Sequence, residues 1–331
     1  MDNITHSLTG LAMARAGLNR YSPCATLLLV LSANAPDIDI VAASRGALSY
    51  LEAHRGYTHS LLGLPVMAGV SVLVASALCW RNLPWWRAWG LCCAGVASHL
   101  LLDWTNSYGV RFLLPFSSRW FRLDINSLYD LVILGVLLFA AIWPVFERLV
   151  TGEIGARAPK GRGTAIAALS FFVLFDLGRA VLHARAVGQL NSFVYDDAVP
   201  LRTAALPSRS NPFEWRGIVE TADSFRAVPV SSFRNLDPDA ATEFRKLPQD
   251  AAIEAANRTR PFHYFEYFAR FPVWSEEPAW TGKQRVTRVD LTDLQFGRPG
   301  AGSFHCIATV DSQGRVLDSY FTFGFGNDRR Q

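Results

Sequence analysis

The sequence predicts a mainly α protein, a polytopic membrane helical bundle with a metal-binding core, followed by a small soluble α+β domain. Three observations carry this expectation. Long apolar runs fill residues 1–185, and the clearest of them, Leu61–Trp80, has no charged residue and the ~20-residue length that crosses a bilayer. Histidines and aspartates gather at the ends of these runs, where apolar packing has no use for them. From residue 190 to 331, charge, proline and aromatics mix as in a soluble domain. A boundary is therefore expected between a membrane-embedded domain, 1–185, and a C-terminal domain, 190–331.

Composition agrees with this division. Half of the 331 residues are hydrophobic and 18% are charged, against about 25% charged in an ordinary soluble domain. The net charge of +4 is modest and no Lys/Arg block occurs, so nucleic acid is not an expected partner. Five cysteines make no disulfide framework. Cys24, Cys79, Cys92 and Cys93 fall in apolar segments and read as small buried thiols. The chain opens with Asp2 and shows no basic segment or cleavage site, so insertion is expected to rest on uncleaved helices.

Taken in order, residues 4–18 have near-helical apolar spacing, with Asn3 or Thr5 as the cap. Asn19–Pro23 breaks that helix, and Cys24–Ala35 returns as the second arm of a hairpin that brings His6 and Asp37 to one end. Residues 44–58 read as a loop. Four spans follow: Leu61–Trp80, Ala88–Leu102, Ile125–Phe146 and Thr164–Leu182. Beyond them, Glu214–Thr221, Phe225–Phe233, Arg285–Phe296, Ser303–Asp311 and Val316–Phe325 alternate like strands. Pro238–Lys246, Gln249–Asn257 and Arg260–Arg270 read as helices.

This topology places the start of the first span, the end of the second and the start of the third on one side. Those positions carry His54 and His59, His99 and Asp103, and Asp124, and the hairpin adds His6, Asp37 and Asp39. His99 and Asp103 are four apart, which stacks them on one helix face. Each pair alone is also what a hydrogen-bonded helix end or loop would give; their coincidence on one side points to a metal site. Imidazole with carboxylate suits Zn, Mn or Fe, and the lack of cysteine ligands argues against a closed structural zinc site. His6, Asp37, Asp39, His54, His59, His99, Asp103 and Asp124 exceed one tetrahedral shell, so two ions, most simply two Zn, are expected. Two such ions suit hydrolysis of a phosphoester. Asp39 would serve as bridging ligand or general base, and Arg55 as a bidentate contact to a phosphate oxygen. P-loop, GxSxG and HExxH patterns are absent from the sequence.

Thr5-His6-Ser7-Leu8-Thr9-Gly10, Pro36-Asp37-Ile38-Asp39, His54-Arg55-Gly56-Tyr57-Thr58-His59-Ser60 and Ser98-His99-Leu100-Leu101-Leu102-Asp103 resemble the bacterial inner-membrane metal-dependent hydrolase family, the LexA-binding-type group. The resemblance covers roughly residues 1–180, and Phe265–Trp274 with Asp290–Gly297 are similar to a tail present in part of that group. It implies an inner-membrane location, a helical metal core distantly similar to zinc-dependent phospholipase C, and hydrolase activity. The expected partners are membrane lipid and a lipid or lipid-linked substrate. The alternative is a non-catalytic membrane protein using the same cluster as a metal sensor or scaffold. Arg15, Arg20, Arg81, Arg87, Arg148, Arg157, Lys160 and Arg162 on the opposite side outnumber Arg45, Arg55, Arg111, Arg119 and Arg122 on the cluster side. The cluster and the C-terminal domain are therefore expected to be extracytoplasmic.

Overall fold

In the N-terminal half, helices form where the apolar runs are continuous. The computed structural model describes residues 1–153, 161–300 and 303–324. Helix α1 (Asn3–Ala16) is capped by Asp2, whose Oδ1 accepts from the amides of Ile4 (3.1 Å) and Thr5 (3.0 Å). Asp2 takes the cap expected of Asn3 or Thr5 because its backbone is the extended one, immediately before the first helical residue. Helix α2 (Ala25–Ser32) follows, and a 3-10 segment over Ala35–Arg45 carries Asp37 and Asp39. The expected loop at 44–58 contains a short helix, α3 (Ala47–Ala53).

Helix α4 (Gly63–Leu78) is shorter than the span expected at Leu61–Trp80, because the chain bends by 89° at a break before Gly63. Helix α5 (Trp85–Thr105) returns, and α6 (Leu131–Glu153) and α7 (Arg162–Asn191) complete the half. Helices α6 and α7 are long and apolar enough to cross a membrane; the bent pairs around α2 and α4 would each add one if read as broken spans. Arg157 and Lys160 lie outside the described residues.

Lipid tails are as apolar as leucine, so close packing of small residues has to hold such helices together. The core is built that way. Ala14, Ala25, Ala68, Ala75 and Ala88 are buried with Leu28, Leu29, Val72 and Val96, and α2 packs against α1, α4 and α5. Gly10 of α1 and Gly95 of α5 approach the same carbonyl of α2 from two sides. A Cβ at Gly10 would lie 2.7 Å from Leu29 O, and one at Gly95 3.2 Å from it. At the far end of this packing Cys24, before α2, and Cys79, after α4, form a disulfide. This corrects the reading of both as free thiols: the two helices run antiparallel, which brings cysteines 55 residues apart to the same level.

The chain clusters into two compact units, one of Met1–Ile40, Ala53–Ala184 and Pro207–Glu214, the other of Val41–Glu52, Arg185–Leu206 and Trp215–Gln331. The second contains two four-stranded sheets. One has the order β1 (Arg202–Pro207), β2 (Glu214–Glu220), β3 (Ser224–Ser231), β4 (Thr242–Arg245). The other is an antiparallel meander of β5 (Pro272–Thr281), β6 (Gln284–Asp293), β7 (Phe304–Asp311) and β8 (Val316–Phe323). The β7–β8 turn is the one read at Asp311–Gly314: the Asp311 carboxylate accepts from the amides of Gln313 (2.9 Å) and Arg315 (2.8 Å). Phe325, expected to end β8, lies outside the described residues.

Helices α8 (Ala251–Asn257) and α9 (Arg260–Phe268) agree with the expected pair. Phe262 of α9 stacks on Trp274 at 5.5 Å, and Phe265 meets Phe321 at 5.4 Å. The helix expected at Pro238–Lys246 is instead a 3-10 turn, Pro238–Ala240, followed by β4, which pairs with Ser224–Ala227. Strand pairing overrides local propensity there. Cys306, on β7, is buried and donates to Pro261 O (3.3 Å); burial pushes its thiol up.

The packing around Leu29 O generates a prediction. Gly10→Ala should destabilise the protein by about 1–3 kcal/mol through overpacking against backbone. Gly90→Ala, where an added Cβ meets nothing within 4 Å, should not. Thermal midpoints of the two variants in detergent check this, and equal midpoints would refute the close-packing account.

Candidate metal centre

The candidate residues arrive on four separate pieces of backbone in the first unit. His6 lies one turn into α1, Asp37 and Asp39 on the 3-10 segment after α2, His54 and His59 on the turn before α4, and His99 and Asp103 in the last turns of α5. The turn at 54–60 is tight: the amide of Gly56 donates to Ala53 O (3.0 Å), and a Cβ at Gly56 would fall 2.7 Å from that oxygen. Ser60 then redirects the chain, accepting from the Gly63 amide through its hydroxyl (2.9 Å).

His99 fixes the geometry. Its Nδ1 is 2.7 Å from the carbonyl of Ala33, at the end of α2. A carbonyl only accepts, so Nδ1 carries the proton and the Nε2 lone pair faces the cluster. His59 is set the same way from the other side. Its Nδ1 lies 3.0 Å from Thr58 Oγ1 and 3.4 Å from Asp39 Oδ2, and Thr58 Oγ1 reaches Asp39 Oδ2 at 3.4 Å. The two Nε2 atoms then converge to 3.1 Å.

Two carboxylate oxygens close the figure. Asp37 Oδ1 is 3.4 Å from His59 Nε2 and 3.5 Å from His99 Nε2. Asp103 Oδ2 is 3.6 Å and 3.5 Å from the same atoms. A tetrahedral ion with ligand bonds of ~2.0–2.1 Å requires ligand-to-ligand edges of about 3.3 Å. The measured edges bracket that value. His59 and His99 are fully buried and Asp103 is 1% exposed, whereas Asp37 is 16% exposed and forms the open edge. Asp103 Oδ2 is buried and accepts no hydrogen bond, and neither ring nitrogen of His6 has a hydrogen-bond partner. His6 stacks on His99 at 3.8 Å, with Nε2 3.5 Å from Asp103 Oδ1. Buried polar atoms left this way cost about 1–3 kcal/mol each unless something binds them. The donor set and its vacant valences fit a cation.

A second group adjoins the first. Asp37, Asp39 and His54 each place a ligand atom within 4.8 Å of the others, as do Asp37, His59, His99 and Asp103. Asp37 belongs to both groups, whereas Asp39 belongs to one and also orients its neighbours. Its Oδ1 is 3.0 Å from His54 Nδ1, and its Oδ2 accepts the Arg55 amide (2.9 Å).

Arg55 is 3% exposed, with its backbone in the left-handed region (φ 53°). Its guanidinium donates to Asp103 Oδ1 (3.0 Å), Asn106 Oδ1 (2.9 Å) and Gly109 O (3.2 Å), and lies over the Tyr108 ring at 4.7 Å. The Met1 amino nitrogen also contacts Asp103 Oδ1. Asp124 is buried with φ 57° but belongs to neither ligand group. Asp130 caps α6, accepting from the amides of Val132 (3.1 Å) and Ile133 (3.2 Å). Sequence reasoning overlooked the roles of Thr58, Asn106 and Arg111. Arg111 holds the histidine turn through the carbonyls of His54 (3.1 Å) and Arg55 (3.4 Å). For Asn106 a signal existed, since it follows Asp103 by three, at the C-cap of α5.

The comparisons with known proteins fit a membrane protein whose helical half carries this cluster. The uncharacterized protein YfhP of Bacillus subtilis (strain 168) is 24% identical over 355 aligned residues, covering 100% of this chain and 98% of its own. No solved structure matches. Residues 1–186, which include every candidate ligand, match the family described as YdjM inner membrane protein. That match supports a membrane location and carries nothing about hydrolysis or phospholipase C. With more than half of its length matched, the chain belongs to the YdjM inner membrane protein family.

Proposed function

We propose that this protein is a membrane-bound, metal-dependent hydrolase acting on a phosphoester in a lipid or lipid-linked substrate. The supporting observation is the set of ligand edges from 3.1 to 3.6 Å around Asp37, His59, His99 and Asp103. Zn suits such a site, and Mn or Fe suits the same donors. Asp37, His59, His99 and Asp103 would hold one ion, with Asp37 shared toward a second held by Asp39 and His54. A divalent pair supplies electrophilic charge to the attacking and leaving oxygens of an in-line displacement.

The protein's own groups prepare that chemistry. Ala33 O and the Thr58–Asp39 pair keep the His99 and His59 lone pairs aimed inward. Arg55 acts as a positioning residue, holding Asp103 Oδ1 so that Oδ2 stays directed at the cluster. Asp39 would act either as a ligand of the second ion or as the general base. A headgroup could be taken there while acyl chains remain in lipid, sparing about 0.8 kcal/mol per CH₂ that would otherwise meet water.

Three outcomes are expected. Purified protein should carry more than one equivalent of transition metal by elemental analysis. His99→Ala should weaken metal binding by more than the ~10–100-fold typical of changes in groups that only orient a ligand, and should abolish turnover of bis-p-nitrophenyl phosphate and short-chain phospholipids. His263→Ala on α9, outside both ligand groups, should keep metal and activity. Protein unable to bind zinc or manganese would overturn the metal centre. Metal binding without turnover would leave the sensor or scaffold reading.

His54→Ala separates the two groups. It should lower the metal content toward one equivalent while leaving the ion at His59 and His99 in place. Loss of all metal would contradict two groups joined through Asp37.

We also propose that the cluster end and the C-terminal domain face away from the cytoplasm, on the bias of basic residues toward the other end. Tyr57→Cys should then be labelled from outside whole cells by a membrane-impermeant thiol reagent. Labelling only after lysis would invert the orientation.

A further inference from the structure

Behind the metal centre, on the other face of α5, lies a second cavity of about 400 Å³. Its walls are Thr9 of α1, Ser98, Leu102 and Thr105 of α5, and Phe172 and Asp176 of α7, among others. It opens sideways past Leu101, Val173 and Leu177, which are 56%, 60% and 60% exposed. With α7 crossing the membrane, as its length and apolarity allow, that mouth would face the hydrocarbon of the bilayer. The volume lies in the range of about 300–1,000 Å³ common to ligand pockets.

The polar groups in the wall specify what can enter. The hydroxyls of Thr9, Ser98 and Thr105 donate to carbonyls of their own helices, Thr5 O (2.8 Å), Gly95 O (2.7 Å) and Leu102 O (2.7 Å). Their oxygens therefore act only as acceptors, and that of Thr105 already accepts from Asn126 Nδ2 (3.1 Å). Asp176 adds a carboxylate, with Oδ1 accepting from Asn126 Nδ2 (2.7 Å). The Trp104 indole N–H is the one free donor among the side chains lining the cavity; toward Asp176 an occupant must bring the donor itself, and an anionic head there would meet the carboxylate. A polar group placed in apolar surroundings without its hydrogen bond is costly, which makes this accounting selective.

We propose that the cavity is a binding site for the hydroxyl end of a long-chain lipid alcohol, the chain entering between α5 and α7 and the hydroxyl donating to Asp176. This class includes the alcohol that a lipid phosphoesterase would release, but binding here depends on neither metal nor turnover.

The test uses the full chain in lipid nanodiscs with a diazirine-bearing hexadecanol as photoprobe. Labelling should be saturable, should map to peptides of 98–105 and 172–180, and should be competed by hexadecanol far better than by palmitate or hexadecyl phosphate. Val173→Trp, which fills the mouth from its lipid-exposed edge, should abolish it, with Leu177→Trp as the second variant if the first fails to fold. Asp176→Leu should weaken competition by hexadecanol roughly tenfold, the scale of a hydrogen bond to a charged group, and should remove the disadvantage of palmitate. Non-saturable labelling, equal competition by the anionic amphiphiles, or labelling unchanged in both tryptophan variants would overturn the site. Because the readout is labelling, a failed hydrolase assay leaves the result interpretable.

Discussion

The hydrogen bond from His99 Nδ1 to the carbonyl of Ala33 joins the chemistry of this protein to its packing. It links the last turns of α5 to the end of α2 across 2.7 Å, and it settles which imidazole nitrogen looks into the cluster. The bond exists only if α2 sits close against α5. That closeness comes from Gly95 of α5, while Gly10 lets α1 approach the same Leu29 carbonyl. Small residues at the helix contacts and ligands at the helix ends are one construction.

The same construction leaves a deficit at its centre. Asp103 Oδ2 and both nitrogens of His6 are buried without hydrogen bonds, and the Nε2 atoms of His59 and His99 face each other at 3.1 Å. Groups in that state oppose the folded arrangement unless a cation takes the space between them. Arg55, bound to Asp103 and Asn106, offsets part of the buried negative charge without entering the ligand set. Binding of an ion would therefore tighten the packing of α1, α2 and α5, since anything that binds only the folded state stabilises it.

Where the sequence misled, a distant partner intervened. The segment Pro238–Lys246 has helix-compatible residues, yet Thr242–Arg245 pairs with β3. Residues 44–58 looked like a loop because Gly46 and Gly56 bracket them, but Ala47–Ala53 form a helix whose Leu51 and Glu52 carbonyls accept from Tyr264 Oη at 3.4 and 3.3 Å. The Cys24–Cys79 pairing depends on antiparallel helices that no local pattern reveals. Arg55 read as a phosphate contact because its neighbours in sequence are histidines; in three dimensions its donors are directed to Asp103, Asn106 and Gly109.

The sequence by itself determined the division into an apolar helical half and a strand-rich half, because hydropathy and alternation are local properties set by residue type. It also placed His6, Asp37, His59, His99 and Asp103 at one end, because the alternating direction of successive helices brings those positions together. Only the tertiary structure decided which atoms meet. Asp37 rather than Asp39 is common to both ligand groups, Asp124 lies outside them, and Asp39 and Ala33 O orient the imidazoles. Those outcomes turn on differences of an ångström or two between side chains from four backbone segments. Such distances are set by how closely the helices pack, and no spacing along the chain encodes them.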